Sequence, residues 1–362
     1  MCEDYCGYST VVGPRWQIEW LIEHWQLMRT AERFGIEPPR LIEFRAVGDV
    51  GEAAFRDDHS PAIAVVRHAP GIGSVAAHQL QTELMLTRRP RLPLNIDDDR
   101  LDQLAPQLLW EPGFSVRPAH GGVPVPDDPF DPEELQRLRD SAPRDLVGPP
   151  ALGPRVAVLD TGVRDADSPM IDFIECDDLG IRTVPPADAR GHGSSVATVI
   201  RTVRDTARIH PLRVLRDTGP GVSYEVLAGL IYALWSGEYD LVNASLTTQA
   251  RTRCISTLGL SIDYVVRYAA RRRGPLPVLV AAAGNEQHAT SGYPARVPDA
   301  IVALASDDSG NPATYNSDPP AGARTEIAYG ASESHPLGRL PDGTPLYGTS
   351  FATAVVSGAY LP

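Results

Sequence analysis

Gly348-Thr349-Ser350-Phe351-Ala352-Thr353-Ala354 sets a serine between a small-residue turn and an Ala/Val-rich run. Ser350 therefore falls at a helix start, where backbone N–H groups without intrahelical partners point at whatever its hydroxyl attacks. Gly348, Ala352 and Ala354 leave room for another backbone to come close. Alone, the triplet reads equally as a turn or a helix cap, for which Ser and Thr are favoured. Three upstream stretches give it weight. Val156-Ala157-Val158-Leu159 is the kind of apolar run a central parallel strand needs, and it ends in Asp160-Thr161-Gly162. Functional residues of α/β sheets gather at such C-terminal strand ends. Gly191-His192-Gly193-Ser194-Ser195 precedes the run Val196–Ile200, which puts His192 at another helix start. Val278–Ala283 reads as a further buried strand, ending in Gly284-Asn285-Glu286. Singly, Asp160 and Asn285 read as turn residues and His192 as structural.

Together the pieces make one chemistry. A serine hydroxyl is a weak nucleophile and needs a base for its proton. Imidazole serves near neutral pH, and a carboxylate fixes its tautomer and stabilises its cation. The oxyanion that forms needs donors, for which the Asn285 amide and the Ser350 backbone N–H are placed.

The 362 residues suffice for one large or two medium domains. Hydrophobic content of 43% and charged content of 22% are those of a soluble globular protein, and the net charge of −13 argues against nucleic-acid or anionic-membrane partners. No apolar run reaches the roughly 18 residues that span a bilayer. The start, Met-Cys-Glu-Asp-Tyr-Cys-Gly-Tyr, carries no basic segment followed by an apolar one, so the expected location is the cytoplasm. Cys2 and Cys6 lie close, while Cys176 and Cys254 are far apart, which is no disulfide framework. Free thiols are the plain reading; a Cys2/Cys6 zinc half-site would need partners such as His24.

In the first 140 residues, Ile18, Leu21, Ile22, Trp25 and Met28 recur at helical spacing, predicting an amphipathic helix from Trp16 to Phe34 that packs on the protein's own core. Strands are expected at Leu41–Val47 and Ala62–Val66 and a helix at Ser74–Leu86. Gly71-Ile72-Gly73-Ser74-Val75-Ala76 fits a dinucleotide-binding pattern, but Pro70 interrupts its approach and its acidic partner could only be a residue such as Asp97; an ordinary glycine turn is the competing reading. A short charged helix is expected at Pro132–Arg139, and the Pro/Gly-rich stretch 141–154 reads as a linker.

The order Asp, His, Asn, Ser and the sequences Val-Leu-Asp-Thr-Gly, Gly-His-Gly-Ser-Ser-Val-Ala, Ala-Ala-Gly-Asn-Glu and Gly-Thr-Ser-Phe-Ala-Thr-Ala resemble subtilisin-type serine proteases (subtilases, peptidase family S8) over about 155–361. Leu241–Leu246 resembles the family's substrate-pairing strand, Gly292-Tyr293-Pro294-Ala295 the turn after its oxyanion residue, and Tyr315-Asn316-Ser317 a later loop. The resemblance implies an α/β fold: a three-layer domain over 155–362 with a mostly parallel central sheet, preceded by a smaller α+β N-terminal domain over 1–140. It implies a serine endopeptidase acting on protein or peptide substrates through an acyl-enzyme. Ser350 would be the nucleophile, His192 the general base, Asp160 its orienter and Asn285 the oxyanion donor. Ser245, Leu246, Thr247, Ala283 and Gly284 would line the substrate strand.

The chain also departs from the family. Ser195 stands where a second His is common, and Thr247-Thr248 replace Gly-Gly after Ser245-Leu246, which narrows the pocket for the residue before the scissile bond. The short segment Arg201–His210 leaves little room for a calcium loop, so neither metal nor cofactor is expected. Because few residues follow Ser350, the Trp16–Phe34 helix is expected to cover the flank of the last helix. Residues 1–140 are expected to be regulatory, propeptide-like or bound by an activating protein. Two competing functions stay open. One is a catalytically silent protease-like binding or scaffold protein. The other is an aspartic protease, suggested by the Asp-Thr-Gly triplets at Asp160 and Asp217.

Overall fold

The computed structural model describes residues 5–67, 79, 109–118, 130–143, 153–174, 181–217, 221–248, 262, 265–270, 275–287, 289–339 and 345–362. The Gly71–Ala76 pattern, Asp97, Cys2, Cys176, Cys254, most of the expected Ser74–Leu86 helix and residues 144–152 of the linker lie outside them.

The body is a sheet of eight strands among the described residues. In chain order they are β5 (Arg155–Asp160), β6 (Met170–Asp172), β7 (Arg182–Val184), β8 (Arg208–Arg213), β10 (Leu241–Ala244), β12 (Val278–Ala282), β13 (Ile301–Ser306) and β14 (Arg324–Tyr329). Across the sheet the order is β14-β13-β12-β10-β5-β8-β6-β7, parallel between neighbours except for the β6–β7 hairpin at one edge. Successive side chains of a strand face opposite sides. Val156, Val158, Val280 and Ile301 thus pack with the helices α5 (His192–Val203) and α7 (Thr349–Tyr360), while Ala157, Leu159, Leu279 and Val302 pack with α6 (Ser223–Trp235) on the other face. Strands buried on both faces are apolar throughout, which is why they read as unbroken runs.

A second, antiparallel sheet is built from β1 (Tyr5–Pro14), β2 (Arg40–Leu41), β3 (Pro61–Arg67) and β4 (Leu109–Pro118), in the order β2-β3-β1-β4. The same alternation divides its faces. Val11, Ala62, Ala64 and Val66 pack under helices α1 (Arg15–Glu23) and α2 (Arg29–Phe34), whereas Val12, Ile63 and Val65 join the core around α6. The expected Trp16–Phe34 helix is therefore two helices separated by a 3-10 turn at Trp25–Leu27. Of the expected strand Leu41–Val47, only Leu41 is in a strand, the two-residue β2. Phe44–Ala46 is a 3-10 turn that sends Phe44 inward onto Phe55, their ring centroids 4.7 Å apart. Next in the chain is α3 (Gly48–Ala54).

The expectation for the C-terminal flank is overturned. Ile18, Leu21, Trp25 and Met28 are spent on their own sheet, so they do not reach α7. What covers α7 is α4 (Pro132–Asp140), begun by Asp131, whose carboxylate accepts from Glu133 N at 2.9 Å. Phe130 meets Phe351 edge-on at 5.6 Å, and Leu138 is buried in the same cluster. From the side, α5 closes against α7 so tightly that a Cβ on Gly358 would lie 2.7 Å from Val203 Cβ. The buried Arg204 donates to the Leu361 carbonyl at 2.5 Å.

Candidate active site

Asp160 is the last residue of β5 and His192 the first of α5. Both are fully buried, with His192 Nδ1 2.7 Å from Asp160 Oδ1, which also accepts from Thr161 N at 2.7 Å. The glycines flanking His192 are required by the geometry. Gly191 has φ 79°, in the left-handed region, and a Cβ on Gly193 would lie 2.1 Å from the Gly162 carbonyl oxygen. The helix start can approach the β5 turn only because that Cβ is missing.

Asp188, which the sequence reading did not single out, ties these parts together. Its carboxylate accepts from Gly191 N at 2.7 Å, Ser194 N at 2.8 Å, Ser194 Oγ at 2.7 Å and Thr161 Oγ1 at 2.8 Å. It caps α5 and bridges it to the loop after Asp160, a job the N-terminal N–H groups of any helix leave open. Its only sequence signal is an acid shortly before a glycine-flanked histidine. Ser195, at the position of the family's second His, donates to the Gly191 carbonyl at 2.9 Å and closes the same turn.

Ser350 lies in the first turn of α7, after Gly348 at φ 139°. It interlocks with Ser245: Ser350 Oγ donates to the Ser245 carbonyl at 3.1 Å, and Ser245 Oγ donates to the Ser350 carbonyl at 2.9 Å. The Asn285 carbonyl oxygen accepts from Thr349 N and from Thr349 Oγ1, both at 2.9 Å. With its oxygen fixed this way, the amide presents its N–H groups as donors beside the head of α7. Thr349 is the second residue the sequence reading missed, although it adjoins Ser350. Ser317 sets the turn before Asn285, its N–H donating to the Gly284 carbonyl at 2.9 Å, while Glu286 N donates to Ser317 Oγ at 3.1 Å. Ala283 N donates to the Ala303 carbonyl at 3.1 Å, and Gly284 takes φ 103°. The structure thus collects Asp160, His192, Asn285 and Ser350 from four separate strand ends and helix starts, with Ser245 beside them.

Asp217 does not join this group. It is half-exposed, 3.5 Å from Arg213, whereas Asp160 is buried against His192. Each aspartate has its own partner, His192 for Asp160 and Arg213 for Asp217, and with the fold around them the aspartic-protease reading is overturned.

Leu246 and Thr247 belong to β11 (Leu246–Thr248), at the rim of the site. Here the two sheets meet. Leu246 pairs with Pro118, Thr247 with Arg117 and Thr248 with Val116, all antiparallel. On its other side β4 pairs with β9 (Gly221–Val222), Ser115 opposite Val222 and Val116 opposite Gly221. A strand of the N-terminal unit therefore runs between two edges of the body, heading toward Ser245 and Ser350. The β9 edge is fastened by Glu225, whose carboxylate accepts from Val222 N at 3.0 Å and from Arg216 at 2.9 Å. Burial pushes this carboxyl up to about 7, against the pull of Arg216.

Among the described residues no group of three or more His, Cys, Asp or Glu is placed to hold a metal ion, and no helix is long and apolar enough to cross a membrane.

Comparison with known proteins bears on this arrangement. Residues 152–361 match the model of the Subtilase family, Peptidase_S8. Subtilisin amylosacchariticus of Bacillus subtilis subsp. amylosacchariticus is 30% identical over 230 residues, 57% of this chain and 54% of that protein, so the chain spans about half the length of that relative. Subtilisin Savinase of Lederbergia lenta is 30% identical over 226 residues, covering 57% of this chain and 74% of its own length. Thermitase of Thermoactinomyces vulgaris is 26% identical over 258 residues, covering 65% and 83%. The matched residues carry the large parallel sheet and both ends of the Asp160–His192 contact, and with them the chain belongs to the subtilase family.

Proposed function

We propose that the chain is a serine endopeptidase whose substrate edge is occupied, at rest, by its own N-terminal unit. The observation that carries the first part is the fully buried 2.7 Å contact between Asp160 and His192, beside Ser350 at the head of α7 and an Asn285 amide fixed by Thr349. Ser350 attacks the peptide carbonyl as its proton passes to His192, whose cation Asp160 stabilises. Asn285 and the N–H groups opening α7 receive the oxyanion. His192 returns the proton to the leaving amine, and water then cleaves the acyl-enzyme. Protein or peptide substrates add as a strand along β11, the mode of recognition in which main-chain bonds give affinity and side-chain pockets give selectivity.

The second part rests on β4, which already uses the strand pairing a substrate would need. In this state Ser350 Oγ is engaged with the Ser245 carbonyl. Residues 1–118 then act as a regulatory segment, and activation consists of freeing the β9 and β11 edges, by cleavage or by a partner protein that competes for the unit.

The test is the intact mass of the wild type and of Ser350→Ala after exposure to a fluorophosphonate. One adduct on the wild type alone is expected. No adduct, with β4 displaced by mild denaturant as well as without, would replace this reading with a silent protease-like binding protein.

A further inference from the structure

His210 Nε2 is buried and has no hydrogen-bond partner among the described residues. A polar atom left so is uncommon inside a folded protein, and its surroundings show what would answer it. His210 lies on β8 opposite Ala157 of β5, with its ring edge-on to Tyr239, the centroids 5.6 Å apart. Tyr232 of α6 stands 6.5 Å from Tyr239. These three rings and Ile171 of β6 form the body's side of a cavity of about 190 Å³, and Val47 and Val50, at the start of α3, form the side that belongs to the N-terminal unit. Val47, Tyr232 and Tyr239 are buried, whereas Asp49 and Thr183 in the same lining are exposed, so the cavity has an apolar inner end and a polar mouth. None of the lining belongs to the candidate active site. Inside, the charges are already matched. Glu238, also in the lining, is bonded to Arg155 at 2.5 Å. Burial, aided by Arg155 and Arg208, pushes the His210 imidazole down, so that ring is uncharged at neutral pH. Burial likewise pushes the Tyr232 and Tyr239 hydroxyls up, and both keep their protons.

We infer that this seam cavity is a binding site for a small uncharged aromatic alcohol of the phenol type, and that its occupant holds the N-terminal unit on the body. Size selects a single ring: an apolar cavity of roughly 150 Å³ takes benzene, and this one has room for a hydroxyl besides. The hydroxyl is what His210 Nε2 calls for, while the ring lies against Val47, Val50 and Ile171. A carboxylate or an ammonium would give up its hydration for a lining whose inner charges, Glu238 and Arg155, are spent on each other. The walls come from both units, so a ligand that needs both binds the docked form and not the separated one. Mass action then favours docking, by about tenfold at a free concentration ten times the dissociation constant. With the β9 and β11 edges held covered in this way, the ligand acts as a brake on the peptidase. The brake rests on the function proposed above; the binding does not.

The experiment titrates phenol and toluene calorimetrically into the full-length wild type, His210→Phe and Val50→Phe. For phenol a dissociation constant of about 1 mM is expected, ordinary for a ligand of so few atoms. The wild type should prefer phenol to toluene by about fivefold, the share of one hydrogen bond. His210→Phe, which keeps a ring but loses the nitrogen, should bind the two alike. Val50→Phe, whose larger side chain takes up the volume, should bind neither. Each protein is also labelled with the fluorophosphonate, with and without phenol at about ten times its dissociation constant. Phenol should slow labelling of the wild type about tenfold and leave that of Val50→Phe unchanged. No saturable heat with either compound, as when water alone fills the cavity, overturns the site, and so does equal affinity of the wild type for both. Binding without slower labelling, or slowing that persists in Val50→Phe, overturns the brake. Absence of labelling in every protein sinks the peptidase reading and leaves the binding result standing. Should Val50→Phe fail to fold, the phenol-to-toluene ratio in wild type against His210→Phe still decides the site.

Discussion

The molecule holds two sheets made in different ways. The large one is completed by its own strands and covered on both faces, by α5 and α7 on one side and α6 on the other. Among the described residues, the small one has one helical layer of its own, and its strand β4, paired with β1 on one stretch, takes β9 and β11 of the body as partners on the next. Among the described residues, its inner face joins a core that includes α6 and the buried Ile262, Val265 and Ala269. The seam there consists of Phe55 stacked 6.0 Å from Tyr232, Trp235 Nε1 donating to the Ala54 carbonyl at 2.8 Å, and a Tyr268 hydroxyl bonded to the His59 carbonyl. A sheet that closes on itself is a scaffold, whereas one that borrows an edge is docked. The borrowed edge here is also the rim of the candidate active site, so under the proposed function docking and substrate would compete for the same backbone groups.

The comparison can be broken at several points. Ser350→Ala carries the largest expected effect: a drop of about 10⁶-fold in turnover after the N-terminal unit is removed, with no fluorophosphonate adduct. Global stability should be unchanged, because only one hydrogen bond of the Ser245–Ser350 interlock is lost.

Phe351→Ala tests the scaffold. Phe351 is fully buried between α7, Phe130 and the large sheet, and its truncation should cost about 3–5 kcal/mol, lowering the melting temperature of the whole molecule. A local loss confined to the first 67 residues would contradict the division drawn here. Asn285→Ala should remove about 2.7–4 kcal/mol of transition-state stabilisation, seen as lower kcat with little change in KM.

Glu225 sharpens the comparison at the seam. Its carboxyl is pushed up to about 7 by burial, from a usual value of 4.5. The folded protein therefore holds this proton more tightly than the unfolded chain does. The contribution is full below pH 4.5 and is lost as pH rises through about 7, so this group makes the fold less stable at neutral pH than at acidic pH. Glu225→Gln, which keeps an acceptor for Val222 N, should flatten that part of the melting-temperature profile between pH 5 and 8. An unchanged slope would place the pH sensitivity elsewhere. The smallest effect expected is that of Trp235→Phe, about 1 kcal/mol from the lost bond to Ala54, read as faster amide exchange in β1 and β3 than in the large sheet.

The body was largely legible because its signals are local. Buried parallel strands show as apolar runs, and Val156–Leu159 and Val278–Ala283 mark β5 and β12 to within a residue or so. In the N-terminal unit, Ala62–Val66 was equally plain, yet Leu41–Val47 was misread because its apolar residues serve a turn that turns Phe44 inward. Asp188 and Thr349 escaped notice for a related reason. Nothing in their neighbours reveals that one caps α5 across a loop and the other anchors an amide from a distant strand.

Sequence by itself pointed to the family, to Asp160, His192, Asn285 and Ser350 as candidates for the site, and to a narrowing of it at Thr247-Thr248. These are written in short motifs whose residue types the chemistry demands. Tertiary structure alone decided that α4, and not the first helix, covers α7, that Thr248 is stitched to Tyr293, and that β4 lies between β9 and β11. Such pairings join backbone groups far apart in the chain. Every residue but proline carries the same N–H and C=O, so the choice of partner is made by how the whole chain packs.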